Sequence, residues 1–157
     1  DDREILKKND FIFLLSLMII DGADNADYFI YKFNISKRDQ KRLKVIDNFH
    51  KDEKSSKNLS EKNLNKILYY HGKQSVIDVI SYKLFKLKKV DKKTLNLIDQ
   101  FKSKILPNIP ISAKILMERY NIPEGKSLGI KLKTIEEEWI NNNFNISEKQ
   151  ISKIVSH

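Results

Sequence analysis

Lys37, Arg38, Lys41, Arg42 and Lys44 place five cations within about two helical turns. The chemistry open to such a cluster is phosphate binding, by charge and through the unpaired N–H groups of a helix start. A solvated helix face would carry the same residues, and on the cluster alone that plainer reading stands slightly ahead. A second feature is Pro123-Glu124-Gly125-Lys126-Ser127-Leu128-Gly129. Gly125 lets the backbone turn sharply or approach a partner, and Gly129 permits close contact one turn into the following helix. Lys126, Lys131 and Lys133 lie beside this loop. Both glycines would also suit plain protein packing.

Residues for covalent or metal chemistry are poorly arranged. His50, His71 and His157 are far apart and none has a partner four residues on, so no His-built metal site is expected. His50 and His71 fall near helix C-termini, where a cation suits the dipole. Asp21, Asp24 and Asp27 recur every three residues around a turn and read as capping and loop residues. They do not form the Asp-x-Asp pair that two-metal nucleotidyl transfer needs. Glu136, Glu137 and Glu138 splay over different helix faces. There is no phosphate-binding glycine loop and no nucleophile elbow. With no Cys, thiolate nucleophiles, disulfides and Cys-based metal sites are excluded, and a reducing cytoplasmic setting fits. No catalytic, metal or cofactor residue is expected in this chain.

The elements that must position the cations follow from composition and periodicity. In 157 residues there are 4 Gly and 3 Pro, too few for the turns of an all-β domain. Hydrophobic residues make up 40% and charged residues 32%, a globular balance. The net charge of +9 makes a polyanion partner plausible, nucleic acid or anionic membrane, and a Lys-rich solvated surface equally so. The run Phe11–Ile20 is too short to span a membrane and reads as a helix buried on most sides.

The periodicity predicts an all-α array of about eight helices joined by tight turns. Asp10 caps the first and Gly22 follows it. A short second helix runs to Phe33 and Asn34. Ser36 with Asp39 resembles a capping box before a helix that buries Leu43, Ile46 and Phe49 or His50. After a polar loop over 51–57, a helix from Leu59 and Ser60 uses Leu64, Ile67 and Leu68 and stops at Gly72. The next carries Val76, Ile77, Ile80, Leu84 and Leu87. Asp91 caps a helix with Leu95, Ile98, Phe101 and Ile105. Pro107-Asn108-Ile109-Pro110 breaks the pattern and divides a body, 1–106, from a tail, 107–157, expected to pack on it. In the tail, Ser112 caps a helix ending at Arg119 or Tyr120 with Asn121 as a left-handed stop. Leu128, Leu132, Ile135 and Trp139 stripe the next helix. Ser147 caps a last one with Ile151, Ile154 and Val155.

The segment Pro110–Phe144, PISAKILMERYNIPEGKSLGIKLKTIEEEWINNNF, resembles the C-terminal signature of bacterial tRNA nucleotidyltransferases, the CCA-adding enzymes and poly(A) polymerases. The matching positions are Pro110, Ile111, Lys114, Leu116, Ile122, Gly125, Gly129, Leu132 and Trp139. Ile115 departs from the family's Asp, and Asn121 from its Gly. Asn tolerates the left-handed turn, so that geometry can survive. Upstream, Ile35-Ser36-Lys37-Arg38 and the helix pair Tyr69–Ile80 resemble the family more faintly.

The resemblance implies a non-catalytic, RNA-gripping body and tail that hold the acceptor and T-arm of a tRNA. Magnesium, CTP and ATP would belong to a separate catalytic head, which has no counterpart in these residues. The chain is therefore expected to be a fragment or split subunit, with tRNA and that head as partners and no membrane. The RNA-contacting residues expected are Lys37, Arg38, Lys41, Arg42, Lys44, Lys114, Arg119, Gly125, Lys126 and Lys131. The competing reading is a basic helical protein-interaction module whose charge is incidental.

Overall fold

The computed structural model describes residues 11–52, 59–86 and 92–156. Asp10, Leu87, Asp91 and His157, each given a place above, lie outside them, as does most of the polar stretch after Asp52. The described residues are all-helical, with nine helices and no strand. They are α1 Phe11–Ile19, α2 Asn25–Lys32, α3 Lys37–Lys51, α4 Glu61–His71, α5 Lys73–Lys86, α6 Lys92–Ser103, α7 Ala113–Tyr120, α8 Lys126–Asn141 and α9 Glu148–Ser156. The chain divides into two compact units, Asp1–Lys104 and Ile105–His157.

In the first unit α5 is the hub and packs against α1, α3, α4 and α6. Its position explains a departure from the periodic reading. One apolar stripe was expected, yet Ser75, Asp78 and Ser81 are buried along with Val76, Val79, Ile80, Tyr82 and Leu84. With helices on most sides, polar positions go inside as well, and each then needs a partner. Ser75 Oγ donates to the His71 carbonyl at 3.1 Å. Tyr82 Oη donates to the Ile20 carbonyl at 3.0 Å, tying α5 to the end of α1.

The caps follow the local sequence. Ser36 Oγ accepts the Asp39 N–H at 3.3 Å and donates to the Asp39 carboxylate at 2.7 Å. The short Asp side chain therefore bonds the Ser36 hydroxyl, where a longer Glu would reach the Ser36 backbone N–H. Ser60 accepts the Asn63 N–H and starts α4, and Gly72, at φ 84°, ends it. Asn34 turns left-handed at φ 47°.

Two expectations are corrected. α1 is not buried on most sides: Phe13, Ser16 and Ile19 face inward, but Phe11, Leu14 and Met18, one face of the helix, are exposed. Ile105 is not part of the α6 stripe. The helix stops at Ser103, whose hydroxyl donates to the Asp99 and Gln100 carbonyls, and Ile105 is 84% exposed. Such back-bonding competes with the helix ladder, and Pro107 follows closely.

The second unit is built on Ile111, Leu116, Ile122, Leu128, Ile135 and Ile151. Ser112 caps α7 by accepting the Ile115 N–H, and Asn121 ends it in the left-handed region at φ 52°. Ser147 and Gln150 form a reciprocal capping box for α9: the Gln150 N–H reaches Ser147 Oγ, and the Ser147 N–H reaches Gln150 Oε1. The Trp139 and Phe144 rings meet at 5.0 Å.

Candidate nucleic-acid interface

The cations of α3 divide by helix face. Position 42 lies on the side that carries Leu43, Val45, Ile46 and Phe49 into the core. Arg42 is accordingly buried, and its guanidinium grips Asp78 of α5 at two points, Nε to Oδ2 at 2.7 Å and Nη2 to Oδ1 at 3.0 Å. Gln74 Nε2 adds a third donor to Asp78 Oδ1 at 2.9 Å. The side chains of Arg42 and Asp78 are 9% and 2% exposed. This corrects the expectation for Arg42. It joins two helices, and its fork is engaged by a carboxylate rather than held out for phosphate.

Lys37, Arg38 and Lys41 remain on the exposed surface. Lys37 and Lys41 make no ion pair or hydrogen bond among the described residues. Arg38 has only its sequence neighbour, Asp39, at a long 3.6 Å. Lys44 is exposed but faces Asp27 of α2 at 3.7 Å, so its charge is partly met.

Arg38, Lys41 and Arg42 line a cleft of about 480 Å³ with His71, Gly72, Lys73, Gln74 and Ser75. None of the last five is expected at a binding site from the sequence alone. Gly72 between two helical runs carried the signal. A one-residue break turns the chain back sharply, so the end of α4 and the start of α5 must lie together, and both meet α3. Lys73 is partly engaged, its Nζ donating to the Lys102 carbonyl at 2.9 Å. The His71 pKa is lowered from 6.5, first by burial, which penalises the cation, and then by the charge of Lys41.

The tail residues are scattered among local roles. Lys114 sits 3.8 Å from Glu118 on its own helix. Arg119 pairs with Glu148 at 3.0 Å, and Tyr120 Oη donates to the same carboxylate. Lys131 lies one turn into α8, yet its Nζ donates to the Val155 carbonyl at 2.7 Å and the Ile154 carbonyl at 3.4 Å. It therefore caps the open end of α9. Lys126 alone of these four cations is exposed without a partner among the described residues. It rims a groove of about 790 Å³ between α8 and α9, with Ile130 and Ile154 along it. Gly125 stands immediately before α8 at φ 150°, ψ −168°, a backbone state essentially confined to glycine. Gly129 has open space where a Cβ would stand, so the close approach considered for it does not occur.

No three or more His, Cys, Asp or Glu residues converge to hold a metal ion among the described residues. No helix among them is long and apolar enough to cross a membrane. Compared with known proteins, the chain matches no family model, no curated protein and no solved structure.

Proposed function

We propose that this chain grips RNA through its phosphate backbone and positions it for another catalyst. The observation that carries this reading is the open row Lys37, Arg38 and Lys41 on α3, whose inner side is fixed by the Arg42–Asp78 pair. A-form RNA is recognised by shape, phosphates and 2′-hydroxyls, and a helix face presenting exposed cations suits that task. The net charge of +9 acts in the same direction over a longer range. The finer form rests on the resemblance of Pro110–Phe144. In it, the RNA is the acceptor and T-arm of a tRNA, and the partner is a nucleotidyltransferase head that adds its 3′-terminal nucleotides.

The test is fluorescence anisotropy with a labelled RNA hairpin, comparing the chain with a Lys37→Gln, Arg38→Gln, Lys41→Gln variant. Loss of most of the affinity in the triple variant supports the reading. Unchanged affinity would move the grip elsewhere.

One observation favours a second reading, a protein-interaction module. Phe11, Leu14 and Met18 present an uncovered apolar face on α1, with Met18 83% exposed. Exposed apolar faces of this kind mark protein contacts. That reading predicts no salt-sensitive affinity for RNA.

A further inference from the structure

The cleft where α3 meets the α4–α5 turn differs from the rest of the basic surface because its cations converge from separate segments. Arg38 and Lys41 come from α3, and His71 and Lys73 flank Gly72. We propose that this cleft seats one phosphate group, taken as a phosphomonoester dianion, such as the terminal phosphate of a nucleic-acid strand. The inference deepens the RNA reading and rests on it for the identity of the strand.

Three observations carry it. The first is charge. Arg38, Lys41, Arg42 and Lys73 line the cleft, while among the described residues the carboxylates paired with them are Asp78, against Arg42, and Asp39, near Arg38. Four cations against two carboxylates leave a surplus of two positive charges before His71 is counted. A monoester dianion would neutralise that surplus, whereas a backbone phosphodiester, with one charge, would leave half of it.

The second is rigidity. Arg42 and Gln74, which line the cleft, are both tied to the Asp78 carboxylate by contacts of 2.7, 3.0 and 2.9 Å. Lining residues fixed in this way need no ordering when a ligand arrives, which limits the cost of binding.

The third is the supply of donors. Gly72 stands immediately before α5 and has no side chain to satisfy the N–H groups of the first turn, contributed by Lys73, Gln74 and Ser75. These residues also line the cleft, which places the first turn of α5 beside the side-chain cations.

Titration follows from the same geometry. The groups around His71 are Lys41, Arg38, Arg42 and Lys73, with Asp78 held by Arg42. A dianion among them opposes the charge of Lys41 and favours protonated His71. Bound phosphate should therefore raise the His71 pKa, opposing the lowering by Lys41.

The experiment is a heteronuclear NMR titration of the full chain with inorganic phosphate, with chloride at matched ionic strength as control. Competition follows with the same RNA oligonucleotide carrying a 5′-phosphate or a 5′-hydroxyl. The expected result is saturable shifts at His71 and at the Lys73–Ser75 amides with phosphate only. A raised His71 pKa, loss of the shifts in Lys41→Gln, their retention in a control variant of Lys62, an exposed lysine at the start of α4 that does not line the cleft (Lys62→Gln), and stronger competition by the 5′-phosphorylated strand should accompany it. Equal shifts with chloride, or none, would overturn the phosphate seat, and if RNA still binds with its salt dependence the RNA reading survives. Phosphate shifts with equal competition by both strands would overturn the monoester assignment. Failure of both phosphate and RNA to bind would overturn the two readings together.

Discussion

Arg42 and Asp78, thirty-six residues apart, form a two-point ion pair in the interior, with Nε 2.7 Å and Nη2 3.0 Å from the two carboxylate oxygens. The pair ties the inner face of α3 to α5, beside the apolar contacts of Leu43, Val45, Ile46 and Phe49 on the same helix. Its energetic weight lies in the cost of breaking it. Removing one member strands a buried charge, whereas replacing both by apolar residues of similar size is often neutral or stabilising.

Asp78→Ala should therefore destabilise the first unit by about 3–5 kcal/mol. The double change Arg42→Met with Asp78→Leu should restore most of that loss. Urea denaturation of the single and double variants checks it, and an additive double variant would show that the two residues do not act as a pair.

Gly125 and Gly129 should respond in opposite directions. At Gly125 a side chain must adopt a glycine backbone state, so Gly125→Val should cost about 1–3 kcal/mol. Gly129 lies within α8 with nothing near its Cβ position, so Gly129→Ala should stabilise by about 0.5–1 kcal/mol. Thermal unfolding followed at Trp139 in the second unit reads both.

His71 gives a pH dependence of stability. Its pKa is lowered in the folded chain, so folding favours the neutral ring. The stabilising contribution is complete above the ordinary value of 6.5 and is lost as pH falls through it toward the folded value. His71→Gln should flatten the stability profile in that window, and Lys41→Gln should flatten it in part. Denaturation midpoints at pH 7.5 and 5.5 measure the difference.

Lysines of similar sequence context should differ in their use. Lys41→Gln should lower the salt slope of RNA binding by about one, as expected for a lost phosphate contact. Lys44→Gln should change it less, since Asp27 already faces that ammonium at 3.7 Å. Lys131→Met should leave the slope unchanged and instead weaken α9 by about 0.3–1 kcal/mol through the lost C-terminal cap. Equal slopes for all three would remove the distinction drawn between open and engaged cations.

The helices and most of their ends are legible in the sequence because their determinants are local. Ser36, Ser60, Ser112 and Ser147 carry the cap contacts, and Gly72 and Asn121 turn where helices stop. What the sequence left open depends on the packing of distant segments. The burial of Arg42 required knowing that Asp78 sits opposite it on α5. The engagement of Lys131 required knowing that the last turn of α9 ends beside α8. The cleft likewise combines α3 with residues some thirty positions later, and no spacing rule within one helix reveals that convergence. Charge counting alone treated Arg42, Lys131 and Lys41 as equals, and only Lys41 is open.

The central claim is a phosphate-directed grip on RNA, and the most direct measurement is binding of the chain to a tRNA minihelix at two salt concentrations, with a DNA duplex of equal length as control. The account predicts binding that weakens steeply with salt and prefers the RNA. Affinity that is absent at low salt, or equal for the DNA duplex, would contradict it, and the uncovered α1 face would then become the first place to look for a partner.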